Sequence, residues 1–281
     1  MKAARLPLAL LLAFPLCGAT LPHTFVSSSG HDADDCSRAT PCLTFTGALA
    51  KTSDGGEIDA LDAADYGTGL LTIGKAVTIN GAGVATHTGE ILINFGFSGN
   101  VTLRNLSIYV PSGSADGIDN PYSATLRVEH VVITGGPTMQ YGVNCSGSGN
   151  CMLNDVRILG AHNQPNPEVP GTGVAVAAFG VGKVFVANCT LQNSDIGVSA
   201  ANGSVVEVDN STIEFNGLGV STNQNGSAGS AGTVRLGNTT ITENFIGIKA
   251  AGTGAAIVSF GNNRIYGNQT DGGFTLLTSA R

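Results

Sequence analysis

The chain has no tryptophan and few charged side chains, and these shortages exclude some classes of function. Charged residues make up 12% of its 281 residues, and the net charge of −7 leaves no basic patch for nucleic acid. The acidic residues are scattered, so they indicate solubility rather than a particular partner. After the first residues, no apolar run reaches the length of about 20 residues that a membrane span requires.

The first nineteen residues predict a secretory signal peptide. Lys2 and Arg5 precede an apolar run from Leu6 to Leu16, and Cys17-Gly18-Ala19 supplies small residues for cleavage. Pro15-Leu16 lacks the small residue expected just before a lipidated cysteine, so cleavage is favoured over lipidation. The expected location is therefore secreted, periplasmic or at the cell surface.

Glycine and a repeated pattern are what the chain has in excess. Its forty glycines accompany a phrase in which alternating apolar residues precede a corner residue, an apolar residue follows three places later, and a glycine comes next. The corner residues recur 22 to 33 residues apart, which is the period of a solenoid built from supersecondary repeats. They are Asn80, Asn105, His130, Asp155, Asn188, Asn210, Asn238 and Asn262.

The alternation of apolar and polar positions within each repeat predicts the fold. From Asn105 onward, the residues two and four places before each corner are apolar, as Val206 and Val208 are before Asn210. Alternation in a strand places both on the inner side. Three short strands per repeat, stacked in parallel, predict an all-β, single-stranded parallel β-helix of about eight or nine coils. Glycines such as Gly219 are expected to mark a further corner, because a positive φ is easiest for glycine.

The segment before the repeats predicts an N-terminal cap. Thr40 as the N-cap and Pro41 at the first helical position predict a short helix that runs through Lys51. Such a helix covers the apolar end of a solenoid. We therefore divide the chain into a signal peptide at 1–19 and one β-helix domain at 20–281, with the cap at 20–66 and the repeat coils at 67–281.

The column of corner residues predicts an asparagine ladder. Asn adopts the left-handed conformation readily, and its amide can donate to one coil and accept from the next. His130 and Asp155 occupy neighbouring positions in this column, within about 5 Å by the strand spacing. A His beside a carboxylate also fits acid–base catalysis, but the column favours a structural role.

Five cysteines remain after cleavage, and their spacing predicts two local disulfides. Cys36 and Cys42 are close in the chain, as are Cys145 and Cys151, and such pairs oxidise in an exported protein. Cys189 is expected to be a free, small core residue. No cysteines and histidines have metal-ligand spacing, so no metal site is predicted.

Outward positions of the strands supply candidate ligand-binding side chains. Arg104 is expected to stack over Glu129, and Glu207 over Arg235, as surface pairs of about 0.2–1 kcal/mol. The competing interpretation is a sugar-acid site in which an arginine binds a carboxylate and Glu129 moves a proton. The candidates are Arg104, Arg127, Glu129, Phe185 and Arg235, with Met152 beside Phe185 as a stacking surface for a sugar ring.

Two aspartate runs and two insertions are weaker indications of function. The runs at 32–35 and 59–65 offer oxygen ligands for Ca²⁺, but neither has the spacing of a calcium loop, so no cofactor is predicted. The insertions at 160–170 and 223–231 are expected to border a binding face, as insertions in solenoids often do.

The repeats resemble a known superfamily. The stretch from Asn238 to Ile248 resembles the right-handed β-helix repeats of the pectin-lyase-like superfamily. The opening, from Phe25-Val26-Ser27-Ser28 to Gly55-Gly56-Glu57-Ile58, is similar to the N-terminal cap of its secreted bacterial members. This resemblance covers nearly all of the mature chain. It implies right-handed coiling and a carbohydrate-related function.

The motifs of the superfamily's enzymes are missing. Polygalacturonase-like hydrolases carry an aspartate cluster with Gly-His-Gly and Arg-Ile-Lys, and neither tripeptide occurs here. Asp116-Gly117-Ile118-Asp119 is the nearest pair of acids and coincides with an ordinary Gly-Ile corner. We expect an exported carbohydrate-interacting or surface-structural β-helix; the alternative is a polysaccharide lyase, glycoside hydrolase or epimerase that acts on an acidic polysaccharide.

The expected partner is an extracellular polysaccharide, and a second copy of the chain is a further candidate. The C-terminal coil, with Asn262, Ile265 and Phe274, has no helix after it. Uncovered strand ends invite pairing with another chain, so self-association or docking of a partner is expected there. The alternative is a monomer whose loops cover this end.

Overall fold

Short parallel strands wind around three faces to form one solenoid. The computed structural model describes residues 20–278 except 95, 97–98, 112, 114–115, 163–171 and 224–229. The predicted signal peptide and most of both insertions therefore lie outside the described residues. One face has eight strands in parallel order, which gives about eight coils and confirms the predicted parallel β-helix.

Face 1 and face 2 belong to one continuous sheet that bends at the corner residues. In the middle coils one long strand crosses the corner and serves both faces. Face 1 contains β1 (Leu21–Val26), β2 (Thr52–Ala60), the first halves of β5 (Val77–Thr88), β7 (Asn100–Val110), β9 (Thr125–Gly135) and β11 (Cys151–Leu159), then β13 (Lys183–Ala187), β16 (Val205–Asp209), β19 (Thr233–Gly237), β22 (Ala256–Ser259) and β24 (Leu276–Leu277). Face 2 contains β3 (Asp65–Thr68), the second halves of those long strands, β14 (Thr190–Gln192), β17 (Thr212–Glu214), β20 (Thr240–Thr242) and β23 (Arg264–Tyr266).

Face 3 is a separate sheet with two sides of different character. Its strands are β4 (Leu71–Ile73), β6 (Ile91–Ile93), β8 (Asp116–Asp119), β10 (Tyr141–Cys145), β12 (Val174–Ala178), β15 (Ile196–Ala200), β18 (Leu218–Ser221) and β21 (Ile246–Lys249). One column of each strand faces the main core, including Ile118, Val143 and Val176. Val174, Ala177 and Ile196 form a second apolar cluster apart from that core.

Stacked aliphatic columns form the core. The predicted inner positions of face 1 are buried, and each fully buried Val or Leu stabilises the fold by about 1.5–3 kcal/mol. One such column is at most 1% exposed in six successive coils: Leu103, Val128, Leu153, Val186, Val208 and Leu236.

The corner between faces 1 and 2 has the left-handed backbone that its residue types predict. The φ angle lies between 45° and 56° at Asn105, His130, Asp155, Asn188, Asn210 and Asn238. Asn80 and Asn262 are different. In the first of these coils Ala82 takes the left-handed position (φ 54°), and in the last Gly261 does (φ 93°).

The last coil is therefore shifted from the predicted register. Ile257 and Ser259 are buried, whereas Val258 pairs with the outward Arg235, so the inward assignment of Val258 and Phe260 is wrong. The cause is one additional residue at the corner between Ser259 and Ile265, because a shift of one residue reverses every side chain of a strand.

The cap contains a shorter helix than predicted. Helix α1 spans Phe45–Lys51 and begins after Thr44, whose hydroxyl accepts a hydrogen bond from the Gly47 amide at 2.9 Å. The predicted start at Thr40-Pro41 is wrong because the amide of Cys42 instead donates to Phe25 on β1, which holds that segment extended. Within the described part of the chain, no helix has the length and apolarity to cross a membrane.

The repeated glycines of face 3 have a different role from the predicted one. Gly219 does not have a positive φ. A Cβ atom at this position would lie 2.5 Å from the carbonyl oxygen of Gly247 in the next coil. The same close approach occurs between Gly197 and Gly219, at 2.6 Å. Glycine is therefore needed because adjacent coils approach too closely for a side chain.

Candidate functional site

The corner asparagines form hydrogen bonds from coil to coil in two series. Asn105 donates to Asn80 at 2.9 Å, and Asn80 donates to Asp59 at 2.9 Å. The second series starts at Asn154, passes through Asn188 and Asn210, and reaches Asn238, whose backbone amide donates to Asn262. These amides are bound to each other, so they are structural groups.

His130 and Asp155 lie between the two series. Their side chains approach at 3.6 Å between Nε2 and Oδ2, and more than half of each side chain is exposed. The arrangement is that of a surface pair in the corner column.

Two of the candidate arginines on face 1 form ion pairs. Arg235 binds Glu207 at 2.8 Å, in the predicted pairing. The predicted stacking of Arg104 over Glu129 is confirmed by the strand register, but Arg104 forms its ion pair with Glu57 rather than with Glu129. The Arg104 side chain is long enough to cross β5 and reach the carboxylate on β2.

The remaining face 1 candidates stay apart on an open surface. Arg127, Met152 and Phe185 occupy one outward column on successive coils. Arg127 is exposed, and Phe185 and Met152 are half-buried. These three residues include no acid, so they form a strip rather than a catalytic centre.

The cysteines pair as their spacing predicts. Disulfides join Cys36 to Cys42 and Cys145 to Cys151, and Cys189 is free and buried. Burial raises the pKa of the Cys189 thiol to about 11, which makes it unreactive at neutral pH.

The aspartate runs of the cap are occupied by local hydrogen bonds. Asp32 accepts from the amides of Leu43 and Thr44 at 2.9 Å. Asp62 accepts from Ser27 and from the buried Tyr66, and the Tyr66 hydrogen bond is the largest of the effects that lower the pKa of Asp62 to about 2. Among the described residues, no group of three His, Cys, Asp or Glu side chains has the arrangement of a metal site.

Sequence reasoning missed a second, buried ladder at the corner between faces 2 and 3. Asn216 accepts from the amide of Ser194 at 3.0 Å and donates to Asn244 at 3.0 Å, and Asn244 donates to Asn268 at 2.9 Å. The recognisable sequence feature is an Asn three places after each of Ile213, Ile241 and Ile265.

Carboxyl groups do converge on the outer side of face 3. Asp116 pairs in register with Tyr141, whose next neighbour is Val174 of the second apolar cluster. Asp119 pairs with Asn144, which donates to its carboxylate at 3.0 Å. Glu90 directly precedes β6, the neighbouring strand. We call Glu90, Asp116 and Asp119 the acidic cluster.

Burial and mutual repulsion change the ionisation of the acidic cluster. Burial first, and then the charges of Asp119 and Glu90, raise the pKa of Asp116 to about 7. Burial also raises the pKa of Asp119, and burial and the charge of Asp119 raise the pKa of Glu90. Asp116 therefore changes its charge near neutral pH, unlike an ordinary surface aspartate.

Two acceptor atoms of this site are buried without a hydrogen bond. Asp116 is only 6% exposed, and its Oδ1 has no partner among the described residues. The Oδ1 of Asn144 is likewise buried and unpaired. Buried polar atoms are nearly always paired, and leaving one unpaired costs about 1–3 kcal/mol. The two atoms belong to neighbouring strands of face 3, β8 and β10.

An aromatic pair lies beside the acidic cluster. The rings of Tyr141 and Phe179 meet edge to face with centroids 5.5 Å apart, and Gln140 donates to the Tyr141 hydroxyl at 3.0 Å. Of the eight strands of face 3, only β21 carries a basic residue, Lys249. Because β21 is five strands from β8, that charge is roughly 24 Å away. The site combines hydrogen-bond acceptors, an aromatic group and negative charge.

The sequence contained part of this site. Asp116 and Asp119 were recognisable as the nearest pair of acids, but their position suggested an ordinary corner. Glu90 comes from the preceding coil, and it reaches them only because β6 and β8 are neighbours.

Comparison with known proteins identifies the fold class. No protein-family model and no curated protein matches the chain. The crystal structure of the pectate lyase Pel9A is similar with a TM-score of 0.61 and 15% sequence identity, over 88% of this chain and 73% of that one. A rhamnogalacturonan lyase is similar with a TM-score of 0.42 and 12% identity, over 84% and 72% of the two chains. The chain shares the right-handed β-helix fold of Pel9A, in agreement with the pectin-lyase-like resemblance.

Proposed function

We propose that this protein is an exported β-helix that binds a neutral, hydroxyl-rich polysaccharide on the outer side of face 3. The observation that carries this proposal is the convergence of Glu90, Asp116 and Asp119 beside the Tyr141 ring. Glu90 and Asp119 are only half-buried, and sugar hydroxyls are suitable donors for their carboxylates. The neighbouring Tyr141 ring supplies an apolar surface for the sugar's C–H groups.

Charge favours a neutral chain over a uronate polymer. The acidic cluster would repel the carboxylates of an acidic polysaccharide, and the basic residue of this face, Lys249, is too distant to compensate. Hydrogen bonds from hydroxyls to ionised carboxylates are among the stronger ones, so a neutral sugar gains from the same charge.

Export is part of the proposal. It is supported by the predicted signal peptide at 1–19 and by the two disulfides, since disulfides persist in oxidising compartments. Mass spectrometry of the exported protein would then give a chain that begins at Thr20.

Affinity electrophoresis of the mature protein tests the binding proposal. We expect at least one soluble neutral glucan, galactan or mannan to retard the protein, and uronate polymers to retard it less. Asp119→Asn should weaken the retardation, while Asp209→Asn, which removes an equal charge from face 1, should not. No retardation by any neutral polymer, or equal loss in both variants, would refute the proposal.

Glycoside hydrolysis is a second candidate, and the raised pKa of Asp116 favours it. A carboxylic acid protonated near pH 7 can donate to a glycosidic oxygen while an ionised neighbour activates water. New reducing ends should then appear with a rate that falls above about pH 7 and is abolished in Asp116→Asn. Binding without new reducing ends would leave the protein as a binding module.

A further inference from the structure

A strained aromatic residue marks the corner between faces 2 and 3. One residue per coil has a left-handed backbone at this corner: Asn193, Phe215, Glu243 and Gly267, with φ of 53°, 55°, 53° and 69°. Asn and Gly adopt this conformation readily, but a bulky side chain does not. The side chain of Phe215 is also 58% exposed, so core packing does not offset the strain. The repeat sets the left-handed backbone in each of these coils, so neither the backbone nor core packing explains an exposed Phe at this position.

Two more exposed aromatic rings continue from Phe215 along the solenoid. Phe245 and Tyr266 are 61% and 56% exposed and lie on the next two coils. The amide of Phe245 donates to the carbonyl of Asn216 at 3.0 Å, and Tyr266 continues the column of Glu214 through Thr242. The three rings therefore lie on successive coils about 4.8 Å apart, each at a different position within its coil. We call Phe215, Phe245 and Tyr266 the aromatic corner.

The backbone beneath the aromatic corner is fixed. Asn216 and Asn244 of the buried ladder directly follow Phe215 and precede Phe245, and they bind each other and the backbone. Rigid exposed rings lose little conformational entropy when a ligand binds.

The polar neighbours of the rings indicate the chemistry of the ligand. Glu214 and Glu243 flank Phe215 and Phe245, so apolar rings alternate with carboxylates along the corner. A pyranose ring presents C–H groups to an aromatic surface and hydroxyls at its edge, which matches this alternation.

We propose that the aromatic corner is a second contact surface for the same polysaccharide, which runs along the solenoid axis from the acidic cluster. This inference rests on the proposed function. Asp116 begins β8, and Leu218 begins β18, four strands further along face 3 at the same side of the sheet. The two surfaces are therefore roughly 19 Å apart, and only a chain of several sugars reaches both.

Neighbouring coils supply variants that test this proposal without harming the fold. Asn193 occupies the position of Phe215 one coil earlier, and Gln269 occupies that of Phe245 one coil later. Phe215→Asn relieves the left-handed strain, so it should raise the melting temperature, and Phe245→Gln should leave it unchanged. If the rings had only a structural role, both substitutions would instead lower the melting temperature.

The measurement is isothermal titration calorimetry of the full mature protein. The ligand is the neutral glucan, galactan or mannan that retards the protein in affinity electrophoresis, used as long chains and as short oligosaccharides. We expect the double variant Phe215→Asn/Phe245→Gln to bind the long chain at least tenfold more weakly, about 1.4 kcal/mol, and to bind a short oligosaccharide as the wild type does. Equal affinities of variant and wild type for the long chain would overturn the aromatic corner and leave the proposed function standing. If wild type binds no polysaccharide, both proposals fail.

Discussion

At the residue scale, Asp116 is the group whose environment departs furthest from that of a surface side chain. Its pKa is raised from 3.8 to about 7, so between these values the folded protein retains a proton that the unfolded chain has lost. The folded state therefore becomes less stable as pH rises through this window, and the loss is complete above about pH 7. Such a cost is typical of a functional position.

The Asp116→Asn variant tests this coupling. We expect the free energy of unfolding of wild type to fall by roughly 2–4 kcal/mol from pH 4 to pH 8 because of Asp116. In the variant this part of the decrease is removed, while the smaller contributions of Glu90 and Asp119 remain. Urea titrations at both pH values measure the difference. Parallel pH profiles for the two proteins would show that Asp116 is not perturbed.

Cys189 should be inert until the chain unfolds. Its thiol is buried and its pKa is raised to about 11, so a thiol reagent at pH 8 should not label the native protein. In denaturant without reductant, one thiol per chain should react. Labelling of native protein would contradict the burial of Cys189, and additional thiols in denaturant would contradict the disulfides.

At the element scale, the two corners differ in how well their sequences reveal them. The corner between faces 1 and 2 could be predicted because a left-handed residue recurs in every coil from Asn105 to Asn238. The buried ladder has asparagine in only three coils, and Ser194 takes the place before them. The pattern therefore recurs too few times to be recognised in the sequence. The start of α1 could not be located because Thr40-Pro41 and Thr44 are both suitable beginnings.

Substitutions in the two ladders should have unequal effects on stability. Asn216→Ala leaves the buried amide of Ser194 and carbonyl of Leu191 without partners, so we expect a loss of roughly 2–4 kcal/mol. Asn210 is exposed, so Asn210→Ala mainly removes a residue that prefers the left-handed conformation. We expect this change to lower the free energy of unfolding by about 1 kcal/mol. Urea unfolding compares the variants. A larger effect of Asn210→Ala would mean that the exposed ladder carries the stability.

At the scale of the whole molecule, the three faces have different chemistry. Face 1 carries the ion pairs Arg235–Glu207 and Arg104–Glu57, whereas face 3 gathers acidic groups around Asp116. The repeat period and strand parity predicted the solenoid because each coil repeats the same local pattern. The acidic cluster could not be derived in that way, because it depends on which coils are neighbours and on the burial of a single carboxyl group.

The pH dependence of polysaccharide binding tests the central claim most directly. Sugar hydroxyls that donate to Glu90 and Asp119 reduce the repulsion that these carboxylates exert on Asp116 and so favour its ionised form, and calorimetric affinity for the neutral polysaccharide should therefore rise as pH increases through about 7. In Asp116→Asn, affinity should be lower and nearly independent of pH. A wild-type affinity that is constant from pH 5 to pH 9, or that changes identically in the variant, would contradict a binding site at Asp116.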